Sequence, residues 1–483
     1  MGLNFKFSKA QLILIGIIIL AITIRLYFLF STANQALWWD EAEYAVQARN
    51  FAGLTENSAS ILRPVLLPAL LAPLIKFGFS ELSLRFIEIL FSVASIFLIY
   101  VLAKELTKKE IVSLLSAFLL AVFWMHLFYT NRLLTEIPSL TFLLAGAVLF
   151  LKSYKENKSY YPVLAGLFFA ASFLTRFPIV IAIAAIALFV IITQRFGAFK
   201  SKSTWIALGA FIAFSAPFFI WAQSKFGDPI APIRAGSEGA GGLTLGLPSF
   251  LTYVKWLPHY FSIPFLVVFL LGLVILFVNI ILNYKNVLTE KQEFLLLALW
   301  LSFPVIFFSS QPHAEDRYLM LAVPAALILI AITLDKILVL LQSKSKAVAY
   351  VTLSLILLFG TVLWLNQADA LIVSKADSFA QVKEAGLWLK ENSQSTDTIF
   401  SASVPQLQFY AERNILGYPA TEESFGNQTK EYSPAYLTVS VFERHPDWIY
   451  SYFDKNNMTP IKLLMSEGKP TFAIYVPFNY ATN

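Results

Sequence analysis

The chain has 483 residues, 58% hydrophobic and 14% charged, with a net charge of +6 and a mean hydropathy of +0.67. Soluble chains carry about 25% charged residues, so this composition excludes an ordinary water-soluble globule and points to lipid as the solvent. The absence of Cys excludes disulfides, Cys-ligated zinc and thiol catalysis. No Lys/Arg-rich binding segment is present, so the basic surplus reads as membrane topology and not as nucleic-acid binding.

A spanning helix needs roughly 20 apolar residues. Runs that qualify, or nearly so, lie at 10–30, 82–103, 111–129, 133–151, 160–176, 178–194, 204–223, 259–282, 294–310, 318–341 and 347–365. The first follows Lys6 and Lys9, is long for a signal peptide, and has no Ala-x-Ala site before Trp38; it reads as an uncleaved first helix. The run 62–77 is shorter, carries Pro64, Pro68 and Pro73, and reads as interfacial or re-entrant. The fold class is therefore a polytopic α-helical membrane protein of about eleven transmembrane helices, with a range of 11–13.

Charge sets the topology. With the N-terminus in the cytoplasm and 62–77 not crossing, every inside segment carries at least two basic residues, for example Lys104, Lys108 and Lys109, or Lys336, Lys344 and Lys346. If 62–77 crossed, the later clusters would face outward. The expected division is a transmembrane domain over 1–368, with external loops at 31–81 and 225–258, and an extracytoplasmic α/β domain over 369–483. The loop 225–258 is rich in Gly and Pro and suits a cover over a site. Within the tail, 378–392, 406–413 and 446–455 read as helices, and 398–402, 436–442, 460–464 and 471–476 as strands. Asn427-Gln428-Thr429 and Asn457-Met458-Thr459 fit N-glycosylation acceptors, which agrees with an outside location.

The chemistry gathers in the outside segments. Asp40, Glu43, Tyr44 and Gln47 fall on one face of a helix after Trp38 and Trp39. Asp40 fits an N-cap with Glu43 closing a capping box, yet three carboxylates in four residues (Asp40, Glu41 and Glu43) exceed what a cap needs. A carboxylate there can deprotonate a hydroxyl. Arg63 on the same side suits a lipid phosphate or an interfacial anchor. Glu136 opens a helix after Arg132, where the helix dipole favours an acid. Arg176 sits in a tight turn between two apolar runs. Arg317 and Tyr318 open a late helix after His313, one of four histidines, with phosphate or Glu315/Asp316 as partners for the guanidinium. There is no convincing metal pattern, Walker loop, Rossmann fingerprint or Ser hydrolase elbow.

In these residues the chain resembles the multispanning GT-C glycosyltransferases, in the branch with the protein O-mannosyltransferases and the lipid A aminoarabinose transferases. The marks are Asp40-Glu41 with Tyr44, Arg63-Pro64, Arg85, the 131–138 loop, Thr175-Arg176-Phe177-Pro178 and Arg317-Tyr318, over about 10–340. The resemblance implies a polyprenyl- or dolichyl-phosphate-linked sugar as donor and an acceptor hydroxyl on protein, glycan or lipid. It implies inverting transfer at the extracytoplasmic face of the cell membrane, with no cofactor required and a divalent cation not indicated. It implies Asp40, Glu41 and Glu136 as the catalytic carboxylates, with Asp40 the base. Tyr44, Arg63, Arg176 and Arg317 would contact the donor phosphate, and Glu43, Arg132, His313 and Tyr318 would support the site or the acceptor. One departure is Leu62, where the aminoarabinose transferases carry an acid before the loop cation; this argues against identical donor handling. A lipid or solute transporter is the main rival, but no inverted repeat is evident, and Arg25 is the clearest in-span charge.

Overall fold

The computed structural model describes residues 7–55, 62–156, 158–239, 241–242, 244 and 246–477. Lys6, used above for topology, lies outside them. The bundle is built from α1 (Lys9–Ser31), α2 (Trp39–Phe51), α3 (Leu66–Lys76), α4 (Glu81–Thr107), α5 (Glu110–Val122), α6 (Trp124–Thr130), α7 (Glu136–Ser153), α8 (Tyr160–Thr175), α9 (Val180–Gln194), α10 (Phe196–Lys200), α11 (Lys202–Phe226), α12 (Ala231–Gly239), α13 (Phe250–Leu282), α14 (Tyr284–Thr289), α15 (Gln292–Ser309), α16 (Val323–Gln342) and α17 (Lys346–Val373). Short 3-10 turns precede α9 and α16.

Among the described residues, nine helices are long and apolar enough to cross a bilayer, and the bent pair α5–α6 makes a tenth. The eleventh expected segment is α8, with 16 residues, about 24 Å at 1.5 Å per residue. It still traverses the bundle. At one end Ser203 bonds the Ser153 carbonyl at 3.1 Å, and at the other Arg176 bonds Glu136 at 2.7 Å, so α8 returns the chain over the height that α7 descends. The run 62–77 is the short α3, lying beside α2. The chain leaves its last bundle helix on the end that carries α2, where the Gln35 amide donates to the Lys375 carbonyl. The last helix runs on to Val373, past the composition change at Asp369.

Two helices are broken, and each break has a polar clamp. The α5–α6 pair bends by 54° at Phe123. There Arg25, buried in mid-α1, donates to the Ala121 carbonyl at 3.0 Å, to Ser92 Oγ at 2.5 Å and to His126 Nδ1 at 2.9 Å. In α13, Ser262 takes φ +54° between Pro258 and Pro264, and the Tyr260 carbonyl accepts the indole N–H groups of Trp124 and Trp364, both at 3.0 Å. Each clamp supplies donors to carbonyls that a break deprives of helical partners.

The tail folds as α18 (Ala380–Asn392), β1 (Thr398–Phe400), α19 (Val404–Ala411), β2 (Asn414–Leu416), α20 (Glu422–Tyr432), β3 (Tyr436–Ser440), α21 (Trp448–Lys455), β4 (Lys462–Ser466) and β5 (Lys469–Tyr475). Strand order is β2-β1-β3-β5-β4, with β2, β1 and β3 parallel and β5 antiparallel to β3 and β4. Alternation along β1 divides the core: Ile399 packs with Val382, Leu389 and Leu407 of α18 and α19, and Phe400 with Phe425, Ile449 and Phe453 of α20 and α21. Asn427 falls within α20 rather than in a loop.

At Gly166 the backbones of two bundle helices approach closely. A Cβ on Gly166 would lie 2.1 Å from the Ala207 carbonyl of α11, whereas one on Gly209 would meet nothing within 4 Å. Gly166→Ala is therefore expected to lower stability by about 1–3 kcal/mol and Gly209→Ala to leave it unchanged or slightly raised, read as thermal unfolding of the full chain in detergent.

Candidate active site

α2 begins with Trp38 as N-cap, and its cap partner is Glu41: the Trp38 N–H donates to Glu41 Oε2 at 2.9 Å. The sequence reading placed Asp40 at the cap and Glu43 as its closing partner. The structure moves that function to Glu41 and leaves Asp40 and Glu43 for other contacts. Glu41 is fully buried, its Oε1 accepts the Leu133 N–H at 2.9 Å, and Arg132 lies 3.5 Å from Oε2. Both oxygens are thus engaged, and Glu41 fastens the start of α2 to the 131–135 loop. Arg132 packs against the same cap. Its guanidinium stacks on Trp38 at 3.5 Å and Phe128 at 4.6 Å and is 2% exposed, so no phosphate reaches it. Burial is the largest influence on that guanidinium and lowers its pKa to about 10.

The remaining charges form one connected network. Asp40 Oδ1 accepts from Arg63 Nη2 at 2.7 Å and Oδ2 from Arg317 Nη1 at 2.9 Å. Glu43 takes Arg63 Nε at 2.6 Å and the Trp39 indole at 3.2 Å. Arg317 also bonds Glu315 and lies 3.8 Å from Glu136 Oε1, which pairs with Arg176. Tyr318 and His313 reach Glu315 at 3.2 and 3.3 Å. Tyr44 is buried with its ring 5.9 Å from the Arg63 guanidinium. The predicted set is thus brought together, apart from Glu41 and Arg132, which lie beneath it, and the exposed His313 at its rim.

Electrostatics separates the two carboxylates of α2. Burial pushes Asp40 up, but Arg63 and Arg317 outweigh it and hold the carboxyl below its ordinary value. Glu43 has one arginine and the Asp40 charge beside it; burial wins and its pKa rises. Of the two, Asp40 is the one held more strongly as a carboxylate. Burial also raises the Tyr44 phenol. Asp40 and Arg63 are 22% and 32% exposed in their side chains, against 1% for Glu136, so the Asp40–Arg63–Arg317 corner is the accessible part. No group of three acids or histidines able to hold a metal occurs among the described residues.

Sequence reasoning named Asp316 as a partner for the Arg317 guanidinium but missed Tyr129 and Tyr260, which hold Asp316. Asp316 Oδ1 accepts the Arg317 N–H at 2.6 Å and the Tyr129 hydroxyl at 2.8 Å, and the Tyr260 hydroxyl donates to the Asp316 carbonyl at 3.3 Å. Tyr129 sat in an apolar run with nothing to mark it. Glu88, fully buried with neither oxygen bonded among the described residues, was detectable as an acid inside an apolar run. The 225–258 loop lies beside the site: Thr244 N and Ser249 Oγ bond the Ser310 and Gln311 carbonyls at 2.8 and 2.6 Å.

Comparison with solved structures decides the architecture. ArnT from Cupriavidus metallidurans, bound to undecaprenyl phosphate, superposes with a TM-score of 0.67 over 95% of this chain and 98% of that one, at 13% identity. The archaeal oligosaccharyltransferase AglB from Archaeoglobus fulgidus, in complex with an inhibitory peptide and a dolichol-phosphate, gives 0.59 over 88% and 69%, at 15% identity. The chain has the GT-C fold. The mycobacterial arabinofuranosyltransferase AftD shares it, with a TM-score of 0.57 at 13% identity over 95% of this chain and 39% of its own. Residues 63–221 of this GT-C chain match the dolichyl-phosphate-mannose-protein mannosyltransferase family. No curated protein sequence matches the chain.

The contributions of Glu41 and Asp40 to stability are separable. Glu41→Ala leaves the buried Arg132 unpaired and frees the Leu133 N–H, and is expected to cost about 3–5 kcal/mol. Asp40→Asn, in the open corner, is expected to change stability by about 1 kcal/mol or less. Thermal unfolding of the two variants beside wild type checks the contrast.

Proposed function

We propose that this GT-C chain is a membrane glycosyltransferase. It moves a sugar from a polyprenyl- or dolichyl-phosphate donor to a hydroxyl of a protein, glycan or lipid at the extracytoplasmic face of the cell membrane. The observation that carries the reading is Asp40, an ionised and accessible carboxylate between two guanidinium groups at one end of a GT-C bundle. The positive-inside distribution of Lys and Arg supports the sidedness, and the lipid phosphates bound to ArnT and AglB support the donor class.

The chemistry follows from the groups present. The acceptor hydroxyl attacks the anomeric carbon, its proton passes to Asp40, and the bond from that carbon to the phosphate oxygen breaks with the electron pair leaving on the lipid phosphate. The donor is a phosphodiester with one negative charge; the leaving group becomes a phosphate monoester with a second. Arg63 and Arg317 are the cations placed to stabilise that developing charge. Arg176 is tied to Glu136 and acts behind them, orienting Glu136 and through it Arg317. Glu43 holds Arg63 in place, and Tyr44 closes the floor of the corner.

In the assay, purified chain is given a panel of polyprenyl-phosphate sugars, and release of lipid phosphate is read by mass spectrometry. Asp40→Asn is expected to lose about a hundredfold to ten-thousandfold in rate while remaining folded and inserted; wild-type transfer by that variant would refute Asp40 as base. Because the Asp40 pKa is depressed, the base is ionised above its lowered value and lost only as pH falls through it. Wild-type kcat/KM is therefore expected to keep its acid limb below the ordinary Asp value of about 3.9.

A further inference from the structure

The site holds more carboxylates than its cations can share with a phosphate. Among the described residues, Asp40, Glu43, Glu136 and Glu315 surround Arg63, Arg176 and Arg317, and every guanidinium already contacts at least one carboxylate. Only Asp40 bridges both arginines of the open corner, one through each oxygen. Glu43 touches Arg63 alone, while Glu136 and Glu315 lie on the far side, near Arg317. A phosphate entering the corner meets two cations on each of which Asp40 already holds one nitrogen.

Charge balance shows what relieves this. Before transfer the donor phosphodiester and Asp40 carry one negative charge each. Afterwards the lipid phosphate carries two and Asp40, holding the acceptor's proton, carries none. The total is unchanged, but the charge has moved from Asp40 to the phosphate. A neutral carboxyl no longer competes for a guanidinium, because a charge-assisted bond is roughly twice as strong as a neutral one.

Resting on the transferase reading, we infer that Asp40 and the lipid phosphate compete for Arg63 and Arg317. The proton gained in transfer hands both arginines to the product phosphate, and loss of that proton to solvent lets Asp40 reclaim them and eject the product. The base is also the release device. The groups facing Asp40 are Arg63 from the 62–65 turn, Glu43 and Tyr44 from its own helix, Arg317 and Glu315 from the 313–318 segment, and, behind Arg317, Glu136 and Arg176. Among these acids only Asp40 both contacts the two corner arginines and receives the acceptor's proton, so the exchange belongs to this residue.

The test is equilibrium binding of undecaprenyl phosphate to the full chain in nanodiscs, with undecaprenol as the uncharged control, across pH. In wild type, binding takes up a proton at Asp40, so affinity falls as pH rises; the phosphate's own second ionisation adds equally to all variants. Asp40→Asn is expected to bind about tenfold or more tighter at neutral pH, with a slope of log Kd against pH shallower by about one, since one linked proton is one decade per pH unit. Asp40→Ser gives the same result if the effect is loss of the carboxylate and not a new amide contact. Glu43→Gln is expected to gain less and to keep the wild-type slope. Binding by Asp40→Asn no tighter than wild type, or equal gains and slopes for Asp40→Asn and Glu43→Gln, overturns the competition while leaving the transferase reading intact if wild type still transfers sugar. Failure of wild type to prefer undecaprenyl phosphate over undecaprenol overturns both.

Discussion

One carboxylate shared by two guanidinium groups organises this end of the bundle. Asp40 reaches Arg63, 23 residues on, and Arg317, 277 residues on. Glu136 continues the chain of charges to Arg176, at the C-cap of α8. Charges at the edge of an apolar bundle are tolerated when they are paired, so the network constrains where α2, α7, α8 and the turn before α16 can lie. The same pairs that fix the helix ends place an ionised carboxylate and two cations at an accessible corner.

Much of this was legible because membranes impose simple rules. Apolar length located every long helix, and counting basic residues put the end of the chain on the side of the acidic loop, the arrangement the traced contacts show. The helical spacing of Asp40, Glu43, Tyr44 and Gln47 did place Asp40 and Glu43 together on Arg63. What failed was local. Ser/Thr/Asp/Asn preferences pointed to Asp40 as the cap, but Trp38 caps with backbone alone and Glu41 closes on it, which no propensity scale favours. The depth of Arg132 and Arg176 had no mark in sequence; packing made Arg132 a stacked, buried strut and left Arg176 beside Glu136. β2 has only three residues and α20 buries only Phe425, so neither shows a period. The break at Phe123 carries no Pro or Gly, and only the contacts of Arg25 reveal why it is stable.

The breaks connect to the chemistry. The bend at Phe123 lets α6 run its own course to Thr130, and the kink at Ser262 re-aims the first part of α13. Those two displaced segments carry Tyr129 and Tyr260, which converge on Asp316, the residue before Arg317. Trp124 joins them, because its indole holds the carbonyl of Tyr260. The irregular backbone in mid-bundle is thus satisfied by Arg25, Trp124 and Trp364, and its yield is an arginine held from behind by two phenols.

The C-terminal domain completes the support of α2. Its α19 lies along that helix: Arg49, in the last turn of α2, stacks on Phe409 at 4.0 Å and pairs with Glu412 at 3.2 Å. The Tyr410 hydroxyl accepts the Leu37 N–H at 2.7 Å, just ahead of the Trp38 cap, and donates to Glu81 at 3.2 Å, which Arg85 and Lys383 also hold. α2 is therefore fastened at its start by Glu41 and Tyr410 and at its end by Arg49. A helix pinned at both ends does not tilt or slide to follow a ligand, so rearrangement at Asp40 falls to side chains. The guanidinium groups of Arg63 and Arg317 have the reach to change partners over a carboxylate that stays in place, and a rigid α2 makes that partner exchange, and not a helix movement, the step by which this corner responds to phosphate.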